Sequence, residues 1–321
     1  MATKTTSEII FRTDGVYNLG SGGVETKIAA PIKVTAFATR DPDAPQETAF
    51  TVIEFVNRRD SWKRETVPAS MFWTQGSELI KVLADRGYMW PASKADRDSI
   101  IAALSKEKPD KNIRVTLVSG WCDGTYVLPD ESYGPNGPTK DLVIAHNPTV
   151  RLGAYRRSGT LDGWQKHVAK QCTLSTRARL AVASAFAAPN LACLGIPSFG
   201  FNFSGDTSRG KTLCLRMAAS VAGLNKGLVI PTWDGTAAGF EQRALGHRDG
   251  IVLLDELGHL VDDQGKILRL VTFRLSANNQ KARAGQYVAA HGLVEENTQV
   301  IALSSSEQRT AWLRKTPRSL P

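Results

Sequence analysis

The chain has 321 residues, 42% hydrophobic and 22% charged, with a net charge of +9, a composition that fits a soluble globular protein with room for two ordinary domains. The opening MATKTTSE is followed by no apolar segment, so no signal peptide is expected, and Cys122, Cys172, Cys193 and Cys214 form no C-x-x-C pair, which disfavours zinc and a disulfide scaffold and favours a cytoplasmic protein. The charge is uneven: residues 1–150 hold 18 Lys/Arg against 19 Asp/Glu, whereas 151–321 hold 22 against 12. A basic second half suits a polyanionic partner such as DNA, although nucleotide binding or solubility would each favour some positive charge.

In chain order, residues 27–38 and 49–56 read as strands separated by turn-rich RDPDAP (40–45). RRDSWKR (58–64) reads as a hairpin tip, either a basic aromatic surface for a base or a solvated turn. Helices are expected at 76–86, with Leu79, Ile80 and Leu83 inward, and at 94–105, with Ile100, Ile101 and Leu104 inward. Another strand covers 113–118, GWCDG (120–124) closes it, and 128–138 reads as a surface loop. Residues 1–150 are therefore expected to form an α+β N-terminal module of unknown role.

Residues 151–321 form the second expected module. A basic helix at 165–171 precedes a longer one at 175–188, with Leu180, Ala181, Ala185 and Phe186 inward and Arg177 and Arg179 on the polar side. The charge-free run 180–205 is long enough to span a bilayer, but Pro189 and Pro197 interrupt it, and a buried helix followed by a buried strand fits better. Strands at 199–203, 227–230, 250–254 and 299–303 alternate with helices, including one at 265–276. The predicted fold class is α/β: a P-loop NTPase core whose parallel sheet is flanked by helices.

Three strand ends carry the chemistry. The aromatic run SFGFNF (198–203) leads into GDTSRGKT (205–212), which satisfies G-x-x-x-x-G-K-[ST] in the strand, loop, helix order that a phosphate-binding loop needs. Gly205, Asp206, Thr207, Ser208, Arg209, Gly210, Lys211, Thr212 and Leu213 are the candidate nucleotide contacts, with Lys211 reaching the β/γ oxygens and Thr212 ligating Mg²⁺. IVLLDE (251–256) is an apolar strand ending in two acids: Asp255 is the candidate metal ligand and Glu256 the group that polarises the attacking water. IALSSSE (301–307) ends in hydroxyls, of which Ser305 is the candidate γ-phosphate sensor or water-positioning group; a capping box formed by Ser and Glu is the alternative. Lys281 and Arg283, in SANNQKARAGQ (276–286), are candidates for nucleic-acid contact or for an exposed turn. The histidines show no metal spacing, and His259 just past the acids is not expected to be catalytic.

GTLDGWQKHVA (159–169), RLAVASAFAAPNL (179–191), FNFSGDTSRGKTLCLRMAASVAG (201–223), TWDGTAAGFEQRA (232–244), IVLLDELGHL (251–260) and KARAGQ (281–286) together resemble the family known as domain of unknown function 927. Its members are P-loop proteins of phages, plasmids and integrative elements, often found with primase-type domains and similar to superfamily 3 and related hexameric helicases. The resemblance implies nucleotide contacts at Gly205, Ser208, Gly210, Lys211 and Thr212, metal and water roles at Asp255 and Glu256, and supporting roles at Thr236 and Glu241. It also implies that the core lacks the usual C-terminal extension with lid helices and a trans-acting arginine, leaving Arg309, Arg314, Arg318 and Lys315 as the basic residues after the third strand.

The expected activity is ATP hydrolysis with Mg²⁺ coupled to DNA remodelling by a helicase-like motor, assembling as a ring and working with a primase or other replication protein. A nucleotide-dependent switch or assembly protein without unwinding activity is the alternative, and a nucleotide kinase fits poorly because no second, Arg-rich substrate site is visible.

Overall fold

The structure, a computed structural model, describes residues 8–20, 23–40, 49–73, 76–129, 131–145, 155, 158–223, 230–233, 243–256 and 299–307. It is a mixed α/β protein with several sheets, in two compact units: Met1–Leu117 with Thr139–His146, and Val118–Pro138 with Asn147–Pro321. The expected boundary at residue 150 left residues 118–138 in the first module; the structure groups them with the second.

The first unit opens with an antiparallel sheet of β1 (Glu8–Arg12), β2 (Gly15–Leu19) and β3 (Glu25–Ala29). The expected single strand 27–38 is two: β4 (Ile32–Thr39) lies in another sheet, and the break falls at Pro31, which has no N–H for a ladder bond. Next come β5 (Phe50–Val56), β6 (Trp62–Pro68), a 3₁₀ turn at Ala69–Phe72, α1 (Ser77–Asp85), α2 (Lys94–Leu104) and β7 (Asn112–Thr116). The chain then runs through a meander of β8 (Gly120–Cys122), β9 (Thr125–Val127), β10 (Ser132–Gly134) and β11 (Gly137–Thr139), returning as β12 (Leu142–Ile144). The main sheet has the order β12-β7-β4-β5-β6, with β12, β7 and β4 parallel and β4 to β6 antiparallel.

Leu79 and Leu83 of α1 and Ile100 and Leu104 of α2 bury themselves with Ile53, Phe55, Val67 and Tyr88, each large side chain contributing about 2 kcal/mol by removal from water. The Tyr88 hydroxyl donates to the Ala30 carbonyl at 3.0 Å, so this buried phenol keeps a partner. At the β5–β6 turn, Asn57 Oδ1 accepts from the backbone of Arg59 and Ser61, and the Lys33 ammonium sits 5.1 Å from the Trp62 ring centroid.

Residues 128–138, expected to be a loop, hold β10 and the first two residues of β11. Three-residue strands between turns carry too little alternation to read, and pairing such as Ser132 with Val127 orders them. The meander is bonded to the segment before the acidic strand: Ser119 Oγ donates to Gly246 O at 3.0 Å, Trp121 N to Asp249 Oδ2 at 2.9 Å, and Tyr126 OH to Asp249 O at 2.9 Å.

The helical layer comprises α3 (Leu161–Trp164), a π turn at Gln165–Ala169, α4 (Lys170–Cys172), α5 (Thr176–Ala187) and α6 (Asn190–Leu194). Ser175 caps α5, its hydroxyl accepting from Ala178 N. The expected inward pair of Leu180 and Phe186 is corrected: they are 40% and 56% exposed, while Ala178, Ala181, Val182, Ser184 and Ala185 face inward. Small residues let α5 approach Ala218 and Ala219 of α7 (Lys211–Val221) closely. Beneath these helices β13 (Phe199–Ser204), β15 (Val300–Ser306) and β14 (Gly250–Leu254) form a parallel sheet in the order β13-β15-β14. The bilayer-length run 180–205 is thus divided among α5, α6 and β13, and no helix among the described residues is long and apolar enough to cross a membrane.

Gly120 has φ +103°, and a Cβ there would lie 2.6 Å from Asp249 Oδ2 and 2.8 Å from Arg248 O. Gly120→Ala is expected to destabilise the protein by about 2 kcal/mol or more, read as a lower urea midpoint with an unchanged m-value.

Candidate functional site

Three parallel strands end on one edge. β13 runs into the loop Gly205–Gly210, and α7 starts at Lys211. Gly210 is the α7 N-cap with φ +78°, a conformation glycine adopts without strain; Ser208 shares it at φ +63°. The first turn of α7 presents backbone N–H groups and the positive end of the helix dipole to the loop. The Lys211 ammonium curls over the loop and donates to the carbonyls of Gly205 at 2.5 Å and Asp206 at 2.9 Å. Asp206, Arg209 and Leu213 are exposed, with Arg209 Nη2 3.9 Å from Asp206 Oδ2.

The first turn of α7 meets the end of β14: Thr212 Oγ1 donates to Asp255 Oδ2 at 3.1 Å. Asp255 Oδ1 accepts from the Ser305 hydroxyl and, at 3.1 Å, from Glu256 N, and Glu256 N also lies 3.3 Å from Ser305 Oγ. Glu256 adopts φ +53°, a conformation costing about 1 kcal/mol or more in a non-glycine residue and concentrated at functional sites. Ser305 was expected to meet the γ-phosphate or the water; here its hydroxyl is turned to the Asp255 carboxylate.

β15 lies between the loop strand and the acidic strand. Ser304 Oγ accepts from Trp233 Nε1 at 2.7 Å, Ser306 Oγ from Asn202 Nδ2 at 2.8 Å, and Glu307 Oε1 from Thr207 Oγ1 of the loop at 2.6 Å. Gly205 N adds a bond to Ser306 O at 3.2 Å. The alternative of a capping box starting at Ser304 is thereby excluded, since its hydroxyl is held by Trp233 inside a strand. Residues 231–233 lie along the other side of β14, with Thr232 bridged in parallel to Asp255 and Asp255 N donating to Pro231 O at 2.8 Å.

Thr212 and Asp255 set two hard oxygen donors side by side at the start of a helix, which fits Mg²⁺, an ion that takes one or two protein oxygens and fills its octahedron with water and phosphate. Among the described residues there is no cluster of three His, Cys, Asp or Glu that could cage a metal. Asn202 and Trp233 are site residues that sequence reasoning passed over; the signal for Asn202 was a single amide inside the apolar run FGFNF. Lys281, Arg283, Thr236, Glu241, His259, Arg309, Arg314, Lys315 and Arg318, and the expected helix 265–276, lie outside the described residues.

At the opposite end of β14, Asp249 is 2% exposed, and burial raises its carboxyl against the pull of Arg248. His247 Nδ1 lies 3.0 Å from the Tyr155 hydroxyl. Burial first, then Arg243, lowers the His247 imidazole from 6.5 to about 4.

The family described as "Domain of unknown function (DUF927)" matches residues 12–291. A solved structure named "SCCmec type IV Cch - active helicase" is 16% identical over 96% of this chain, with a TM-score of 0.61, which shows a shared fold. This chain spans 56% of that one. No curated protein matches the chain.

Between pH 6.5 and 4 the unfolded chain takes up a proton at His247 that the folded chain refuses, so this contribution to stability is full above 6.5 and lost as pH falls toward 4. Asp249, with its native carboxyl raised, acts in the opposite sense: acidification relieves its unfavourable burial as an anion. His247→Gln is expected to flatten the acid loss of unfolding free energy by up to about 3 kcal/mol, measured by urea titration at pH 6.5 and 4; an unchanged acid loss would remove His247 as its source.

Proposed function

This chain belongs to the DUF927 family, and we propose that it binds and hydrolyses ATP at the edge of the β13-β15-β14 sheet, as a helicase-like protein of a phage or mobile element acting on DNA. The observation that carries the reading is the 3.1 Å bond between Thr212 and Asp255 beside a lysine folded over a glycine-bounded loop. The contact between the glycine-bounded loop's helix and the acidic strand end supports the reading, since a P-loop ATPase needs its phosphate loop and metal-holding acid side by side. The likeness in fold to a structure named as an active helicase supports the same reading, as does the basic second half.

The loop N–H groups and the α7 dipole bind the triphosphate, and Lys211 leaves its two loop carbonyls for the β/γ oxygens. Thr212 and Asp255 are the residues that would hold Mg²⁺, which would supply charge neutralisation for the transferred phosphate. Glu256 polarises a water for in-line attack on the γ-phosphorus; the bond from that phosphorus to the β–γ bridging oxygen breaks, ADP leaves with the electron pair, and the proton of the water passes to the carboxylate or to solvent. Ser305 acts as a positioning residue by fixing the Asp255 carboxylate. Assembly into a ring and cooperation with a primase-type protein are parts of the proposal supported by family resemblance alone.

Lys211→Ala is expected to lower kcat/KM for ATP by about 10²-fold or more, and Glu256→Gln to keep ATP binding while lowering kcat by about 10²- to 10⁴-fold. Phosphate release, with and without single-stranded DNA, and binding of a fluorescent ATP analogue measure both. Wild-type protein that releases no phosphate under either condition, or a Lys211→Ala variant as active as wild type, would sink the proposal. Hydrolysis without strand separation would instead mark a nucleotide-dependent switch.

A further inference from the structure

Residues 163–205 contain four Lys/Arg and no Asp or Glu. All four cations, Lys166, Lys170, Arg177 and Arg179, are exposed, and no ion pair among the described residues involves them. The acid-free stretch begins in the α3 to α4 segment, where Trp164, Val168 and Cys172 pack toward the core. That spacing leaves Lys166 and Lys170 on the outer side. On α5, Arg179 and Phe186 share a stripe two turns apart, about 10 Å along the axis. Phe186 is 56% exposed, and its ring stands edge-on to Trp164, with centroids 6.0 Å apart. Arg179 lies near the start of α5, which has no acidic residue in its first turn, although the helix dipole there favours anions over cations; Arg177 lies instead on the stripe of the buried Ala181 and Ser184. Uncompensated cations beside an exposed, braced aromatic ring are the chemistry of a single-stranded nucleic-acid surface, in which phosphates pair with cations and a base stacks on a ring.

We propose that the outer face of the α3 to α5 layer binds single-stranded nucleic acid, with Lys166, Lys170 and Arg179 on phosphates and Phe186 under a base. The proposal rests on the reading of this chain as a nucleic-acid-coupled ATPase and gives that partner a location. This layer is joined to the helix of the nucleotide site: Trp164 Nε1 donates to Ser220 Oγ in the last turn of α7 at 2.9 Å, and α7 begins with Lys211 and Thr212.

The test is the binding of fluorescent oligothymidine and oligouridine, without nucleotide, across a potassium chloride series. Loss of three phosphate contacts in the variant K166A/K170A/R179A is expected to make the slope of log K against log salt shallower by about 2. Phe186→Ala is expected to weaken binding by about tenfold and leave the slope unchanged. All four side chains are exposed, and an unchanged Tm confirms that the variants fold. The oligomer that binds more tightly separates DNA from RNA, and either satisfies the proposal. A triple variant with the wild-type slope overturns it, as does loss of self-association without loss of nucleic-acid binding, which would make the face a contact between copies. ATP hydrolysis, measured separately, can fail while this binding succeeds, so the two readings fall independently.

Discussion

The buried end of β15 is the constraint on which the site depends. Ser304, Ser305 and Ser306 are consecutive and each at most 5% exposed, and a buried hydroxyl left without a partner would destabilise the fold by about 1 to 3 kcal/mol. Each hydroxyl is satisfied by a different wall: Ser304 by Trp233, Ser305 by Asp255 and Ser306 by Asn202. The next residue, Glu307, reaches Thr207 in the loop. One short strand therefore sets the loop, the acidic strand and the segment before it in fixed relation.

Strand alternation divides these tasks. The parallel register pairs Phe203 with Ser305 and Asn202 with Ser304, so neighbouring hydroxyls serve opposite faces of the sheet. Ser305 shares its face with Leu303, Leu253 and Phe203, the side packed under α5 and α7, and this is where Asp255 meets Thr212. Ser304 and Ser306, with Trp233 and Asn202, form a polar row on the other face. Shifting β15 by one residue would exchange these roles, so the apolar packing of Ile301 and Leu303 that holds the register also selects the hydroxyl that reaches Asp255.

The far end of β14 is held just as tightly. Asp249, Trp121, Tyr126 and the backbone of Gly246 anchor the meander. In sequence this segment is inserted between β7 and β12, strands of the other unit, yet residues 118–138 group with the second unit. GWCDG was legible only as the close of the preceding strand; that Gly120–Cys122 starts a new strand, and where it attaches, was not, because a short hairpin has no periodicity and its partners lie more than a hundred residues away. The same limit explains α5, where hydrophobicity pointed Leu180 and Phe186 inward although close helix packing favoured its alanines.

From its residues alone the chain already showed a glycine-bounded loop between strand and helix, an apolar strand ending in Asp255-Glu256, and a third strand ending in hydroxyls, since each is a local pattern governed by backbone geometry and strand burial. The order β13-β15-β14, which sets the last of those strands between the other two, came only with the tertiary structure, as did the pairing of Thr212 and Ser305 with one carboxylate. Pairing between strands separated by some fifty to a hundred residues is decided by long-range packing and hydrogen-bond satisfaction, which leave no periodic trace in the sequence.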